Sequence, residues 1–525
     1  MKKLLIIFLF PVLLSAQADK QQALELPDFI ITGTRGIDVP ILQKKKPKLI
    51  PVLANDFFMP VFSPEDFAPA VLSSPYEKEL KLVLPQTKYE GKAVIGIGRY
   101  TMPAGEFSLM KNYSGFILNL NAMGSNISNY EPNSGYNNSL ISLGGDYFIK
   151  GGGDFFNGTK LSFNARYFRN SYKMFASLLP DDERNGHLFG GSASISNNAF
   201  KYLSYGIEFD AHHFIFNYLD TKETSFSLGG NAEYKSSAFN LAGKIMFRNE
   251  SVSNSRVAGD NYSMLTTEGL LKVKPVSGVE AGVGLYMANY NKNDFLMLKG
   301  SLQMILNDNV TLFADFSPEV EFLSFYNIVS INRYSDFVPV LFQKKEADLK
   351  ISLRYEYGKY FDITGGIGYA SYDKFVYFQD LIWPGTFNPL TTGAKRFYSY
   401  LKMYFHPGPF GRFYGEVNFQ DLKDDNSRYI PHQPAVDASL TYGFDFDNGL
   451  GFIAMYDIQF SAYTDGLNTD KLPAMHNISV GLSYKVQENF LLKLDLQNIT
   501  NNRNYYFKGY LEKPFDIVAG VEYRW

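Results

Sequence analysis

The chain has no cysteine, only two tryptophans and only six histidines among its 525 residues. Without cysteine it can form neither a disulfide framework nor a thioether link to lipid. Beyond its amino-terminal end, no segment supplies the roughly 18 consecutive apolar residues that a membrane-spanning helix needs. The net charge of −3 gives no reason to expect a nucleic acid or another polyanion as a partner.

Aromatic residues and glycine are abundant instead. The chain carries 37 Tyr, 46 Phe and 44 Gly, and aromatics make up 16% of its residues. This composition is typical of a β-barrel in which aromatic girdles face the two membrane interfaces and turns are rich in glycine.

The amino terminus has the pattern of a secretory signal peptide. Lys2 and Lys3 precede an apolar run from Leu4 to Leu14, and Ala16 and Ala18 form a small-residue cleavage site. Such a run is too short to span a membrane as a helix. We therefore expect residues 1–18 to be removed and the mature protein to be exported.

The last ten residues alternate with a period of two. Ile517, Ala519, Val521, Tyr523 and Trp525 occupy one face, and small or charged residues occupy the other. A strand with one face in lipid and one in a polar lumen shows this pattern. We expect Val521, Tyr523 and Trp525 to serve insertion and closure of a barrel, with outer-membrane lipid and the barrel-assembly machinery as partners.

Similar alternating segments follow one another from about residue 91. In 478–486 the even positions are apolar; 490–496 repeats that parity, and 487–489 forms the turn between them. Counting such segments predicts an all-β fold, a transmembrane antiparallel β-barrel of about 22 strands over 91–525. A smaller barrel of about 14 to 18 strands, with the other segments as plugs or hairpins, is the alternative.

The lengths of the connections support an even strand count. Short turns at 275–278, 307–309 and 487–489 alternate with longer connections, which we expect on the extracellular side. The longer connections are predicted at 125–138, 170–185, 252–261, 318–345, 378–394, 422–434, 464–474 and 500–513. With both ends in the periplasm the barrel closes without a free edge.

These features together resemble the translocation barrel of TonB-dependent receptors. The run 494–505, followed by 520–525, is similar to the closing strand pair of that family. A short segment is similar to the energy-coupling box: Asp28, Phe29, Ile30, Ile31, Thr32 and Gly33. The resemblance implies uptake of a small solute or nutrient and TonB as a periplasmic partner.

The chain departs from the family where the plug domain belongs. Only residues 19–90 separate the signal peptide from the first strand, and they contain nine prolines. This favours an extended periplasmic segment over a folded plug of well over a hundred residues. Three interpretations stay open: a disordered leader, a strand that adds to a periplasmic partner, and a filler of the lumen.

Strand parity also identifies candidate lumen and loop residues. Lys402, Lys493, Asp495, Glu522 and Arg524 are expected to face the lumen, where they line the passage or pair across strands. Four aromatic residues are expected in the two aromatic-rich loops: Phe325, Tyr326, Trp383 and Phe387. Such loops either contact a sugar or peptide ligand or fold over the mouth to close it.

No pattern of residues indicates an enzyme. His212 and His213 are adjacent on a strand, so they face opposite sides and cannot bind one metal. We expect no catalytic residue, no cofactor and no metal. Two functions remain: an outer-membrane barrel for a small solute, or a non-conducting interaction barrel that anchors a periplasmic or surface partner through residues 19–90.

Overall fold

A computed structural model describes residues 90–151, 155–200, 202–256, 259–290, 292–357, 360–408 and 411–525. The signal peptide, the segment Asp28–Gly33 and residues 19–89 lie outside the described residues, so those predictions stay predictions. Within the described ranges, no helix combines the length and the apolar character needed to cross a membrane.

The described residues form 25 strands, one α-helix and a short 3-10 helix at Tyr218–Asp220. The helix α1 spans Phe325–Ile331. The strands are β1 Gly91–Gly98, β2 Thr101–Tyr113, β3 Phe116–Ile127, β4 Tyr136–Phe148, β5 Lys160–Lys173, β6 Glu183–Asn197, β7 Leu203–Phe216, β8 Thr221–Lys235, β9 Phe239–Ser253, β10 Asp260–Val276, β11 Val279–Tyr290, β12 Asn293–Asn307, β13 Val310–Phe316, β14 Glu319–Ser324, β15 Val340–Tyr357, β16 Phe361–Trp383, β17 Thr386–Gly408, β18 Gly411–Asp424, β19 Val436–Asp445, β20 Leu450–Gln459, β21 Met475–Gln487, β22 Phe490–Gln497, β23 Tyr505–Phe507, β24 Tyr510–Leu511 and β25 Asp516–Arg524.

Neighbouring strands pair antiparallel and close into a barrel. β13 and β14 both pair with β15, so they are two halves of one wall strand. β23 and β24 form a separate small hairpin. β25 pairs with β22 and with β1, which leaves a closed wall of 22 strands in the described part of the chain. The predicted all-β barrel of about 22 strands is confirmed, and the smaller barrel is wrong.

The two faces of the wall differ as the alternation predicts. Outward residues are large and apolar; Ile95 and Ile97 of β1, for example, are 58% and 61% exposed. Many inward residues are polar or charged, and several of them form ion pairs between neighbouring strands. A closed antiparallel barrel with an apolar outer surface is the form in which strands cross a membrane, and the protein is an outer-membrane protein. The side with the long connections is the extracellular side.

The carboxyl terminus closes the seam. Val521 lies opposite Ile95 and Tyr523 opposite Ala93, while the amide and carbonyl groups of Trp525 exchange hydrogen bonds of 3.0 and 3.1 Å with Gly91. A Cβ atom at Gly91 would collide with the indole ring of Trp525. The missing side chain at position 91 therefore leaves room for the last residue of the chain.

Two predicted loops are wrong in their boundaries. The segment 378–394 belongs to the paired strands β16 and β17, which meet at a turn at 384–385. The segment 318–345 contains β14, α1 and the start of β15, which leaves 325–339 as the connection. Strand pairing continues in both places because backbone partners remain available beyond the membrane. The extracellular connections at 99–100 and 217–220 are also short, so the predicted alternation of lengths is incomplete.

Candidate functional site

The extracellular mouth is covered by four segments, which we call the cap: residues 174–182, 325–339, 376–392 and 505–511. Residues 376–392 are the outer part of the β16–β17 hairpin, and we call them the arm. The pairing register shifts between Tyr372 and Phe375, just before the arm begins. Such a bulge bends a strand, which directs the arm away from the line of the wall.

The arm reaches the opposite side of the barrel. Among the 22 wall strands β5 is the fifth and β16 the fifteenth, so their walls face each other across the lumen. Gly385 at the tip of the arm nevertheless lies against Ala176 in the β5–β6 connection, where any added Cβ would overlap the Ala176 carbonyl. The arm therefore crosses the mouth.

Aromatic side chains form the interior of the cap. Tyr510 is 1% exposed; its ring stacks on Tyr334 with a centroid distance of 3.4 Å and meets Phe175 edge-on at 4.9 Å. Its hydroxyl donates to the Gly385 carbonyl at 2.7 Å. The cluster joins the cap to the wall through these buried residues: Tyr172, Met174, Leu188, Phe214, Phe216, Leu323, Phe325, Ile328, Val329, Tyr334, Val376, Phe378, Phe387 and Tyr510.

Backbone hydrogen bonds tie the arm to residues 332–339. The amide of Asp336 donates to the Phe387 carbonyl at 2.8 Å, and the amide of Phe387 donates to the Tyr334 carbonyl at 3.0 Å. The wall holds the same segment through Arg184, whose guanidinium donates to the Ser335 carbonyl at 2.7 Å. The cap is thus a connected layer, and of its four segments only the arm continues a ladder of the wall.

Helix α1 is positioned by its own first turn. Asn327 donates its amide to the Ser324 hydroxyl and accepts the Ser324 amide at its side-chain oxygen, both at 3.1 Å. This capping box starts the helix immediately after β14. Its apolar side points at the wall, where Phe325 contacts Phe214 and Phe216 at centroid distances of 6.1 and 5.6 Å.

The four aromatic residues predicted for ligand contact are separated by the cap. Phe325 and Phe387 are 0% exposed, so in this conformation they offer no surface to a ligand and instead close the mouth. Tyr326 is partly buried against Phe214, at a centroid distance of 5.1 Å. Trp383 is 57% exposed at the tip of the arm.

Four of the five predicted lumen residues form ion pairs. Lys402 lies 3.1 Å from Glu416, Lys493 lies 3.4 Å from Glu522, and Arg524 also pairs with Glu522. Asp495 lies opposite Gly481 of β21. Similar cross-strand ion pairs recur around the wall: Lys92–Glu106, Lys160–Asp146, Lys272–Glu280, Arg354–Asp362 and Arg412–Asp445. The lumen wall is therefore polar and carries both signs of charge.

Two residues that the sequence did not single out are Tyr510, inside the cap, and His432, which packs against the arm from the β18–β19 connection. The ring of His432 lies 5.2 Å from that of Phe387, and its Nδ1 lies 3.2 Å from the Phe378 carbonyl oxygen. Gly509 beside Tyr510, between short aromatic runs, is a hairpin signal that was available in the sequence. Nothing comparable marks His432. In the described residues, no group of three or more His, Asp or Glu side chains is arranged to hold a metal ion.

Comparison with solved structures identifies the architecture. The ferric-catecholate import receptor Fiu of E. coli K12 superimposes with a TM-score of 0.65 at 10% identity, covering 84% of this chain and 82% of that one. The barrel has the fold of the TonB-dependent receptors.

Two further receptors give similar values. The siderophore receptor PiuA of Acinetobacter baumannii has a TM-score of 0.63 at 10% identity, covering 83% and 81% of the two chains. The FrpB iron transporter of Neisseria meningitidis has 0.63 at 9% identity, covering 84% and 82%. All three are named as receptors or transporters and not as enzymes. No family model and no curated protein matches the sequence.

Proposed function

We propose that the protein mediates passage or uptake of a small solute or nutrient across the outer membrane, and that the cap is its extracellular gate. The observation that carries this proposal is the arm, which crosses a wide, polar-lined barrel and packs against the opposite wall. A barrel of about 22 strands is wide enough to need a filler or a closure. A barrel built only as an anchor has no need of a polar lumen closed at its mouth.

The construction of the cap supports a movable gate. The wall is held by continuous antiparallel ladders, whereas the arm is held to residues 332–339 by two backbone hydrogen bonds and by side-chain packing. Segments with few backbone bonds open at lower free energy than the core of a fold. The cap therefore opens without unfolding the barrel.

Residues 1–18 are proposed as the signal peptide, 19–90 as the periplasmic segment and 91–525 as the barrel. Asp28–Gly33 would add a strand to TonB or to another periplasmic protein, by the strand-addition mode of peptide recognition. The solved neighbours are named for a ferric catecholate, a siderophore and iron. We propose import for this chain as well, with a small solute as the substrate.

The second candidate is the non-conducting interaction barrel, which the exposed Trp383 at the tip of the arm favours. Planar-bilayer conductance of the mature chain, compared with a variant lacking 19–90, separates the two candidates. If the protein transports a solute, the mature chain is closed, and its conductance rises when the cap is weakened, whether residues 19–90 are present or deleted. An anchor predicts no conductance in any of these forms and loss of a bound partner on deletion.

A further inference from the structure

Two fully buried carboxyl groups lie beneath α1. Glu223 of β8 and Glu250 of β9 are each 0% exposed, and both point to the inner side of the wall. Ser225 is the direct partner of Glu250 in the ladder, so the two carboxylates are diagonal neighbours on one face. Both lie beyond Phe226 and Phe247, the last lipid-facing aromatics of their strands, and are therefore outside the membrane.

Glu223 joins the wall to the helix. One of its oxygens lies 2.8 Å from His212 Nε2 on β7, and the other accepts the backbone amide of Tyr326 at 2.8 Å. Amide groups in the first turn of a helix have no partner within the helix, so a carboxylate there stabilises the docked position. The carboxyl group of Glu223 thus holds α1 in place.

Glu250 has no such partner. In the described residues neither of its carboxylate oxygens has a hydrogen bond of good geometry, although the Glu223 carboxyl group and the Phe325 backbone amide lie close to it. An isolated buried charge is very costly, and a second negative charge beside Glu223 adds to that cost. Burial, followed by the charge of Glu223, raises the pKa of Glu250 well above its ordinary value.

We propose that Glu223 and Glu250 form a proton-binding latch, in which one proton held on Glu250 keeps α1 docked and its loss releases the helix and the cap. The latch deepens the proposed gate and rests on it. Its ligand is a proton and not a metal, since Glu250 has only one neighbouring carboxylate and the described residues contain no metal-binding cluster.

Other charged and titratable groups face this pair from each surrounding element. Arg248 donates to the Phe322 carbonyl and to the Asn327 side-chain oxygen, both at 3.3 Å. Its positive charge acts to lower the pKa of Glu250 and so opposes burial and the charge of Glu223, which together prevail. The charged and titratable groups around the pair are Arg166 on β5, Asp210 and His212 on β7, Arg248 on β9, Tyr262 on β10, Glu321 on β14 and Tyr326 on α1.

The direction of the pH dependence follows from the raised pKa. In the open cap Glu250 is hydrated and titrates near 4.5, whereas in the closed cap it keeps its proton to higher pH. The contribution of Glu250 to closure is therefore fully present below about pH 4.5 and is lost as pH rises toward the pKa of the closed state. Because opening releases one proton in this window, the open fraction grows by up to about tenfold per pH unit.

Because the chain has no native cysteine, the open fraction of the cap can be measured in the full chain with a single introduced thiol. A single Val329→Cys places a thiol in the cap interior, at a residue that is 4% exposed. Its rate of modification by a maleimide reports the open fraction when opening is fast. Leu179→Cys, at a residue that is 71% exposed, gives the intrinsic reactivity of an accessible thiol at each pH and corrects for thiolate formation.

With Glu250 present, the latch predicts that the corrected modification rate of Val329→Cys rises steeply from pH 6 to pH 9. With Glu250→Gln the rate should stay flat over this range and should be lower at pH 8 than with Glu250. Glu250→Met, which cannot titrate or donate, should be equally flat. The same slope in all three proteins overturns the proposal, as does a slope that disappears on adding a chelator. The thiol assay does not depend on transport. A cap whose opening depends on Glu250 in a barrel that never conducts would therefore refute the proposed function and leave the latch standing.

Discussion

Replacing Tyr510 by alanine should open the cap without disturbing the barrel. The side chain is buried, lies between Tyr334 and Phe175, and is the contact through which the 505–511 hairpin holds the arm at Gly385. It makes no contribution to the wall ladders. Its removal therefore acts on the equilibrium between the closed and open cap.

The size of the effect follows from what is removed. Truncating a buried aromatic ring to alanine costs about 3–5 kcal/mol, whereas losing one neutral hydrogen bond costs about 0.5–1.5 kcal/mol. With about 1.4 kcal/mol for each factor of ten, Tyr510→Ala raises the open fraction by about 100-fold or more. Tyr510→Phe keeps the stacked ring and raises it by about 2- to 10-fold.

The assay is the modification rate of Val329→Cys, corrected by Leu179→Cys in the same background. The expected order is Tyr510→Ala far above Tyr510→Phe, and Tyr510→Phe above the parent. Tyr484→Ala is the matched control, because Tyr484 is 48% exposed on the lipid face of β21 and has no contact with the cap. Equal rates for Tyr510→Ala and the parent, in a barrel that remains folded, would refute the reasoning.

Three further changes test other parts of the structure. Burial lowers the pKa of His432 to about 4, so the contribution of this side chain to closure is fully present above pH 6.5 and is lost as pH falls toward 4. His432→Asn, which tolerates the φ of 57° there, should remove that acid-dependent part of the opening in the same thiol assay. Lys513→Met breaks the largely buried ion pair with Asp516, 2.9 Å long at the top of the seam, and should cost about 3–5 kcal/mol in barrel stability. Lys508→Met breaks the exposed pair with Asp470 and should cost less than about 1 kcal/mol; the two are compared by the temperature at which the folded band on a gel converts to the unfolded band. Gly91→Ala puts a methyl group into the terminal indole and should lower the yield of assembled barrel, while Gly269→Ala, with open space at its Cβ position, should not; equal yields would contradict the account of closure.

The wall was predictable because lipid imposes one rule on every strand. Segment 478–486 alternates without exception, and it lies within β21 at Met475–Gln487. The closing role of the last strand follows from the same parity. Each outward position must be apolar whatever its neighbours are, so the pattern can be recognised without knowledge of the rest of the chain.

The cap was not predictable, because no such rule applies beyond the membrane. In the arm, Asn388 and Pro389 have the composition of a loop, yet they pair with Gln379 and Phe378. Tyr510 meets Met174 across 336 residues of sequence. Contacts of this kind depend on the curvature of the whole barrel, and the pairing of Glu223 with Glu250 beneath α1 arises in the same way.

The most direct test of the gate is to lock it covalently. Asp336 and Asn388 join residues 332–339 to the arm, with 3.5 Å between Asn388 Nδ2 and Asp336 Oδ2, and the chain has no other cysteine to interfere. Asp336→Cys with Asn388→Cys, in the Tyr510→Ala background, should be silent in planar bilayers when oxidised and should conduct after reduction, while each single cysteine conducts under both conditions. Equal conductance of the oxidised and reduced protein would show that solutes do not pass through the cap. Silence in every state, even with residues 19–90 also deleted, would contradict passage through the barrel.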